Sequence, residues 1–327
     1  MRRVILLLIV VLAISGALVW ERANFVAPGP AAAKGEETVV LVPPGEGVAA
    51  IADELAKAHV IDNAELFKWG VRFRRIAGRL KAGEYAIPSR ASMADVAAIL
   101  IAGKSIEHKL TVAEGLTSQM AYDLVKADPV PTGDAGPVPL EGTLLPETYL
   151  FTRGATRAEL IARMMKAEDD LLVNLWAGRD KDLPLKTPLD AVILASIVEK
   201  ETAIPAERRH IAAVFENRLK LGMKLQSDPT IIYGLTRGYP LGRGIRQSEI
   251  AKPTAYNTYI IAGLPPGPIC NPGRDSLYAV LHPEISNDLY FVADGGGGHV
   301  FAATIAEHQK NVTRWRKTER DEKAGHR

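Results

Sequence analysis

The 327-residue sequence has one cysteine and seven histidines. A single Cys270 cannot form an internal disulfide bond, and it supplies neither a cysteine-based metal site nor a redox pair. The histidines are scattered, and the Glu207 and His210 pair lacks the second Glu-x-x-His motif of a di-metal site. We therefore predict no metal and no other cofactor, and we expect apolar cores to hold the folded parts together.

The sequence also lacks an excess of charge of either sign. Its formal net charge is +2, because 40 basic residues are interleaved with 38 acidic ones. Proteins that bind nucleic acid gather basic residues on one face, and we predict no such face here. Since 47% of the residues are hydrophobic, we expect one or two globular domains with real cores and no nucleic-acid partner.

One long uncharged run occurs at Val4–Val19, directly after two arginines. Its roughly 16 residues are long enough to cross a bilayer core if Trp20 lies in the interface. The alternative is a cleaved signal peptide, but the small residues 31–33 that would suit cleavage lie late, after a Pro-Gly-Pro segment. We predict an uncleaved transmembrane anchor at residues 1–20, with its N-terminus in the cytoplasm and the rest outside.

Composition divides the rest of the chain into four segments. Residues 21–37 are rich in small residues, Pro and Gly, which predicts a linker. Residues 38–103 show strand and helix patterns and predict a small α+β module. Residues 104–318 predict a larger mixed α/β domain with an exposed loop at 128–139, and residues 319–327 predict a tail. The predicted fold class is therefore α+β.

Helix signals are strongest in the second half of the chain. Thr187 supplies a cap and Pro188 a first-turn proline for the most secure of these helices. Apolar strands on both sides of Gly295–Gly298 predict a hairpin. The helices predicted in this half are Arg157–Trp176, Pro188–Thr202, Pro205–Leu221 and Ile305–Lys317.

Two glutamates, Glu199 and Glu201, end the apolar run of that most secure helix. Burial disfavours the charged form of a carboxyl group, which suits a general acid working near neutral pH. Residues two apart on a helix point about 200° from one another, so only one can face a given pocket. Composition leaves the choice open, and both could instead be solvated and paired with Lys200 or Arg208.

Three long segments then resemble the YceG-like family, the endolytic murein transglycosylases. They are ASIVEKETAIPAERRHIAAVFENRLKLGMKLQSDPTIIYG, KPTAYNTYIIAGLPPGPICNPGRDSLYAVLHP and LYFVADGGGGHVFA, and they follow in order between Ala195 and Ala302. EGTLLPETYLF at Glu141–Phe151 resembles the family's EG-x-L-x-PDTY element, with Glu147 where Asp is common. The module at 38–103 is similar to the family's LysM-like subdomain, so the resemblance covers the full length.

The resemblance implies cleavage of MurNAc-β-1,4-GlcNAc bonds within peptidoglycan strands, leaving 1,6-anhydro-MurNAc ends. It implies one essential glutamate, Glu199, which protonates the leaving oxygen and then takes the proton of the C6 hydroxyl as that hydroxyl attacks C1. Ordinary glycosidases need a second carboxylate to activate water or act as nucleophile. Because the internal hydroxyl replaces that water, one carboxyl group suffices, and Glu201 is expected to support substrate binding.

Polar residues after this helix are candidates for binding sugar. Gln226 and Asp228 precede Pro229 in a predicted loop, and Tyr256 and Asn257 lie in the segment PTAYNTY. Amides and hydroxyls suit saccharide hydroxyls, and an aromatic face suits the apolar side of a pyranose. The alternative for each is local capping or turn formation.

The resemblance also implies a place and partners for the chain. We expect an inner-membrane protein with an extracytoplasmic catalytic domain, acting on glycan strands near a peptidoglycan synthase and terminating nascent strands. The alternative function is a non-catalytic, membrane-anchored scaffold that binds peptidoglycan. A scaffold has no need of an acidic group in an apolar setting, whereas a lyase of this type cannot work without one.

Overall fold

The computed structural model describes residues 2–325. It combines α-helices with small two-stranded sheets, which confirms the predicted α+β class. The chain forms two compact units. The first contains the residues up to 109 with 130–132 and 150–155, and the second contains the remaining described residues.

In the first unit, an antiparallel strand pair and three helices enclose an apolar core. The largest side chains of this core, Phe67, Tyr85 and Leu100, are fully buried. Asn63 and Ser92 begin two of the helices, because each side chain accepts a hydrogen bond from a backbone N–H of the first turn. The elements are α1 (Arg2–Asn24), β1 (Glu37–Val42), α2 (Val48–Lys57), α3 (Ala64–Phe73), β2 (Gly83–Pro88) and α4 (Met93–Ala102), with β1 paired to β2.

The N-terminal segment differs from its prediction in one respect. Part of the predicted linker 21–37 is folded, because Phe25 is buried and its ring stacks on Phe67 with centroids 6.2 Å apart. Across residues 2–325, no helix has both the length and the apolar content needed to cross a membrane. The membrane anchor at 1–20 is therefore not confirmed and stays a prediction.

The rest of the chain is mainly helical, and the predicted hairpin around Gly295–Gly298 is confirmed. The helix Pro188–Glu201 lies at the centre of the second core. It packs mainly on the helices Arg208–Lys220 and Arg274–Leu281. The elements are β3 (Glu107–Thr111), α5 (Ser118–Ala127), β4 (Thr148–Thr152), α6 (Arg157–Ala177), α7 (Pro188–Glu201), α8 (Arg208–Lys220), α9 (Asp228–Thr236), α10 (Gln247–Ile250), α11 (Arg274–Leu281), β5 (Tyr290–Ala293), β6 (His299–Ala302) and α12 (Ile305–Gly325).

Helix positions in this part match the predictions for α6, α7 and α12 at their first residues. The predicted loop position of Asp228 was wrong, because Asp228 is the first residue of α9 and Pro229 lies in its first turn. The helix α12 continues through most of the predicted tail 319–327, and residues 326 and 327 lie outside the described residues.

Candidate active site

The helix α7 carries both candidate glutamates on a rigid support. Thr187 and Asp190 form a capping box at its start, and Pro188 occupies the first turn. Every residue of Ala191–Val198 is buried, so the helix lies inside the core. The glutamates extend from its last turn, where the chain leaves the apolar interior.

Glu199 lies among charged and polar groups. Its Oε2 accepts a hydrogen bond of 2.8 Å from the backbone N–H of Gly273, and its Oε1 lies 3.6 Å from an Arg208 guanidinium nitrogen. Its side chain is 6% exposed. Lys200 points outward as predicted and bonds to the Gly115 carbonyl over 3.3 Å. The Glu199 carboxyl group therefore contacts a guanidinium group and a backbone N–H at the end of a buried apolar helix.

Arg208, the first residue of α8, contacts three carboxyl groups. Besides Glu199, its guanidinium contacts Glu114 at 3.4 Å and Asp275 at 3.3 Å. Burial, and next the charge of Glu199, raises the pKa of Glu114. A Cβ atom on residue 273 would overlap the Glu114 carboxyl group, so a larger residue there would require the Glu114 side chain to move. We call these residues the Arg208 cluster: Glu114, Glu199, Arg208, Gly273 and Asp275.

Glu201 has a different environment, on the other side of α7. Its Oε1 accepts a hydrogen bond of 2.6 Å from the Ser227 hydroxyl. Burial raises the pKa of Glu201 to about 7, and the charge of Asp228 contributes in the same direction. The Ser227 hydrogen bond lowers that pKa, as do the charges of His299 and Arg218. A carboxyl group with this pKa is present in both protonation states near neutral pH.

This carboxyl group lines a cavity of about 510 Å³, which we call the Glu201 cavity. Aromatic side chains from three separate parts of the chain form much of its wall, and polar groups lie among them. Residues that matter for the chemistry here are Glu201, Gln226, Asp228, Tyr259, Tyr290 and Trp315. Its volume lies in the range of small-molecule sites, and the aromatic faces suit sugar rings.

Gln226 and Asp228 line this cavity together with Glu201. Gln226 has a left-handed backbone with φ of 53°, and its N–H donates to the Thr258 carbonyl. Asp228 accepts a hydrogen bond of 2.7 Å from the Tyr259 hydroxyl, and burial raises the pKa of Tyr259. Gln226 before α9 and Asp228 at its first residue therefore present two polar side chains beside the Glu201 carboxyl group.

Tyr256 and Asn257 do not line the Glu201 cavity. The Asn257 side chain is buried and donates to the carbonyls of Ile250 and Lys252, at 2.9 and 2.8 Å. Tyr256 packs on Tyr233 with ring centroids 4.7 Å apart. These contacts give Asn257 a structural role in its loop and lend no support to the predicted contact with sugar.

Tyr259, Tyr290 and Trp315 were not among the predicted site residues. Tyr259 is the last residue of the segment PTAYNTY, so that motif could have identified it from the sequence. Tyr290 and Trp315 are distant in sequence, and only the packing of β5 and α12 brings them to the cavity. No local pattern marks either residue as part of the site.

A larger cavity of about 660 Å³ lies elsewhere on the second unit. Its wall includes Met165, Leu172 and Leu189 but no aromatic residue. Glu168 also lines it, and both of its carboxyl oxygens are buried without a hydrogen-bond partner among the residues that the structure describes. Burial raises the pKa of Glu168 to about 8. Because no aromatic face lines it, this cavity is the poorer candidate for a saccharide.

Comparison with known proteins gives consistent results. The model of the YceG-like family matches residues 40–314. The endolytic murein transglycosylase of Bacillus subtilis strain 168 is 32% identical over 301 residues, covering 82% of each chain. That of Streptococcus pneumoniae serotype 2 is 30% identical over 83% of this chain and 57% of its own length. A crystal structure of a YceG-like protein from Listeria monocytogenes is 30% identical, with a TM-score of 0.50, covering 85% of this chain and 99% of that one.

Proposed function

The chain belongs to the YceG-like family, and on that basis we propose that it is an endolytic murein transglycosylase that cleaves within peptidoglycan glycan strands. The observation that carries the proposal is the Glu201 cavity. There, a carboxyl group whose pKa burial raises to about 7 borders aromatic faces and polar side chains. This combination suits an acid that protonates a glycosidic oxygen near neutral pH.

Glu201 is the better supported proton donor of the two candidates. A general acid must hold a proton before it can donate one, and burial favours the neutral form of Glu201. Glu199, which the family motif suggested, lies 3.6 Å from an Arg208 guanidinium nitrogen and accepts a hydrogen bond from the Gly273 N–H. The catalytic role of Glu199, which the family resemblance implies, stays a prediction that the Glu199→Gln and Glu201→Gln variants test.

The reaction then needs one carboxyl group in two protonation states. Glu201 donates its proton to the bridging oxygen as the C1–O4 bond breaks, and the leaving sugar departs with a free hydroxyl. Its carboxylate then takes the proton of the C6 hydroxyl as that oxygen bonds to C1, which closes the 1,6-anhydro ring. The Asp228 carboxylate stabilises positive charge that develops on the sugar ring.

Asp228 also makes hydrolysis a reaction to be tested. Ordinary glycosidases use two carboxyl groups, and the Glu201 cavity contains two. Asp228 is committed to the Tyr259 hydroxyl, which holds one of its oxygens at 2.7 Å. This contact favours a fixed electrostatic role for Asp228 over activation of water, and the end group of the product distinguishes the two reactions.

The test is to incubate the full chain in detergent with purified peptidoglycan and to determine the products by mass spectrometry. We expect anhydro ends, each lighter by one water than a reducing end, and we expect none from Glu201→Gln. Reducing ends would show hydrolysis, and the absence of any cleavage by the parent chain would favour the scaffold. An active Glu201→Gln beside an inactive Glu199→Gln would return the acid role to Glu199.

The remaining predictions complete this proposal. We propose that α1 attaches the protein to the bacterial inner membrane, with the catalytic part outside the cytoplasm. Residues 38–103 would bind glycan as a LysM-like module, and a peptidoglycan synthase would supply the nascent strands whose growth the enzyme terminates. Fractionation of cells after selective digestion of spheroplasts tests the location, because an extracytoplasmic second unit is cleaved and a cytoplasmic one is protected.

A further inference from the structure

The exposed side of α3 in the first unit carries two large aromatic residues. Trp69 is 64% exposed and Phe73 is 76% exposed. Four residues apart on a helix, they lie on the same side, one turn from each other. The opposite side of α3 is buried through Phe67 and Val71, so the helix is firmly seated while its aromatic face is open to solvent.

Basic residues are frequent in the sequence around this aromatic pair. Between Leu66 and Gly83 the sequence has six basic residues and no acidic one. Arg72, Arg75 and Arg79 are exposed, and none of the three forms an ion pair with any residue that the structure describes. The net charge of the whole chain, +2, does not show this local excess of basic residues. We call Trp69, Arg72, Phe73, Arg75 and Arg79 the α3 face.

The end of α1 lies directly beside this face, within the same unit. The Glu21 carboxylate forms an ion pair of 2.6 Å with Arg74, and Arg74 also lies over the ring of Phe25. Trp20 and Phe73 line one small cavity of about 200 Å³. Toward the N-terminus, α1 exposes large apolar side chains such as Leu7 and Leu12, each 69% exposed. The α3 face therefore continues an apolar surface that begins on α1.

We propose that the α3 face rests on an anionic lipid surface. Tryptophan prefers the boundary between hydrocarbon and headgroups, and phenylalanine adds apolar area that is removed from water there. Arginines near an anionic surface each contribute about 1 kcal/mol, so three unpaired ones suit lipid headgroups well. A soluble polyanion would satisfy the arginines and leave Trp69 and Phe73 in water. The inference does not depend on the reaction at Glu201.

The test measures the fluorescence of Trp69 in the full chain, with the other three tryptophans replaced by phenylalanine. The protein is reconstituted into phosphatidylcholine vesicles with and without phosphatidylglycerol, and the lipids carry bromine on their acyl chains as quencher. In anionic vesicles we expect a blue shift and roughly halved emission, because Trp69 enters the interface. About 1 M NaCl shortens the Debye length to about 3 Å and should reverse most of the effect.

Two matched variants complete the test. A chain that keeps Trp176 alone reports on the second unit and should show no quenching. Reversing the charge of the exposed cations, with Arg72→Glu, Arg75→Glu and Arg79→Glu, should abolish the quenching of Trp69 while far-UV circular dichroism stays unchanged. Three results would overturn the proposal: unquenched Trp69 in anionic vesicles, quenching that survives charge reversal, or a blue shift induced equally by soluble heparin.

Discussion

Two carboxyl groups separated by one residue on α7 have opposite surroundings. Glu199 faces a guanidinium and a backbone N–H, whereas Glu201 faces a cavity and one hydroxyl donor. Burial raises the pKa of Glu201 to about 7. The difference teaches that chemical role follows from what each helix face meets, because residue type and burial of the helix are the same for both.

The largest expected effect is on the rate of glycan cleavage. We expect Glu201→Gln to lower the rate by about 10²- to 10⁴-fold, since a positioned general acid contributes that much. The amide keeps the size of the side chain and can still accept the Ser227 hydrogen bond, so folding is preserved. Release of anhydro-ended fragments from peptidoglycan, followed over time, measures the ratio.

Glu199→Gln is the matched control for this comparison. It carries the same chemical change two residues away, and we expect a smaller loss, through displacement of the end of α7. Equal losses from both substitutions would mean that the two faces cannot be separated by function. A larger loss from Glu199→Gln would contradict the acid role of Glu201.

The next effect concerns the stability of the Arg208 cluster. Arg208→Gln leaves Glu199, Glu114 and Asp275 near one another without their common cation. Removing one partner of a buried ion pair costs about 3 kcal/mol or more. Urea unfolding at neutral pH should show this loss, while the exposed Lys224→Gln stays within about 0.5 kcal/mol of the parent. An unchanged midpoint for Arg208→Gln would show that the cluster is not a structural support.

The sequence predicts the helix α7 and the two candidate glutamates at its end. It does not predict which environment each glutamate has. The capping signals of Thr187 and Pro188 located α7, and period 3.6 located most of its neighbours, because these signals are local. Which glutamate meets which environment depends on Arg208, Gly273 and Ser227, and these positions come together only through packing. Tyr290 and Trp315 could not be predicted for the same reason, because only packing brings them to the cavity.

A third prediction concerns stability against pH. The pKa of Glu201 rises from an ordinary 4.5 to about 7 on folding, so its penalty is absent below pH 4.5, grows through this window and is complete above pH 7. Glu201→Gln removes the penalty and should stabilise the protein at pH 8 by about 1 kcal/mol or more, since one pKa unit corresponds to about 1.4 kcal/mol. At pH 4.5 it should change little.

Glu199→Gln should act in the opposite direction at pH 8. It takes the anionic partner from the buried Arg208 guanidinium, which costs about 1–2 kcal/mol. Thermal unfolding of the parent and both variants at the two pH values gives the comparison directly. Destabilisation by Glu201→Gln at pH 8 would contradict the raised pKa.

The smallest effect is a shift of the pH–rate profile. The rate should fall as pH rises through about 7, because Glu201 must be protonated to act as the acid. The Ser227 hydroxyl stabilises the charged form of Glu201, so Ser227→Ala should move this limb to higher pH, by about one unit or less. The charge of Asp228 raises the pKa of Glu201, so Asp228→Asn should move the limb to lower pH.

Ser286→Ala is the control for these variants. It removes a hydroxyl that contacts Asp288 instead, so it should leave the limb unmoved. Shifts of one sign in both cavity variants would mean that the titrating group is not Glu201, because the Ser227 hydroxyl lowers the pKa of Glu201 and the Asp228 charge raises it.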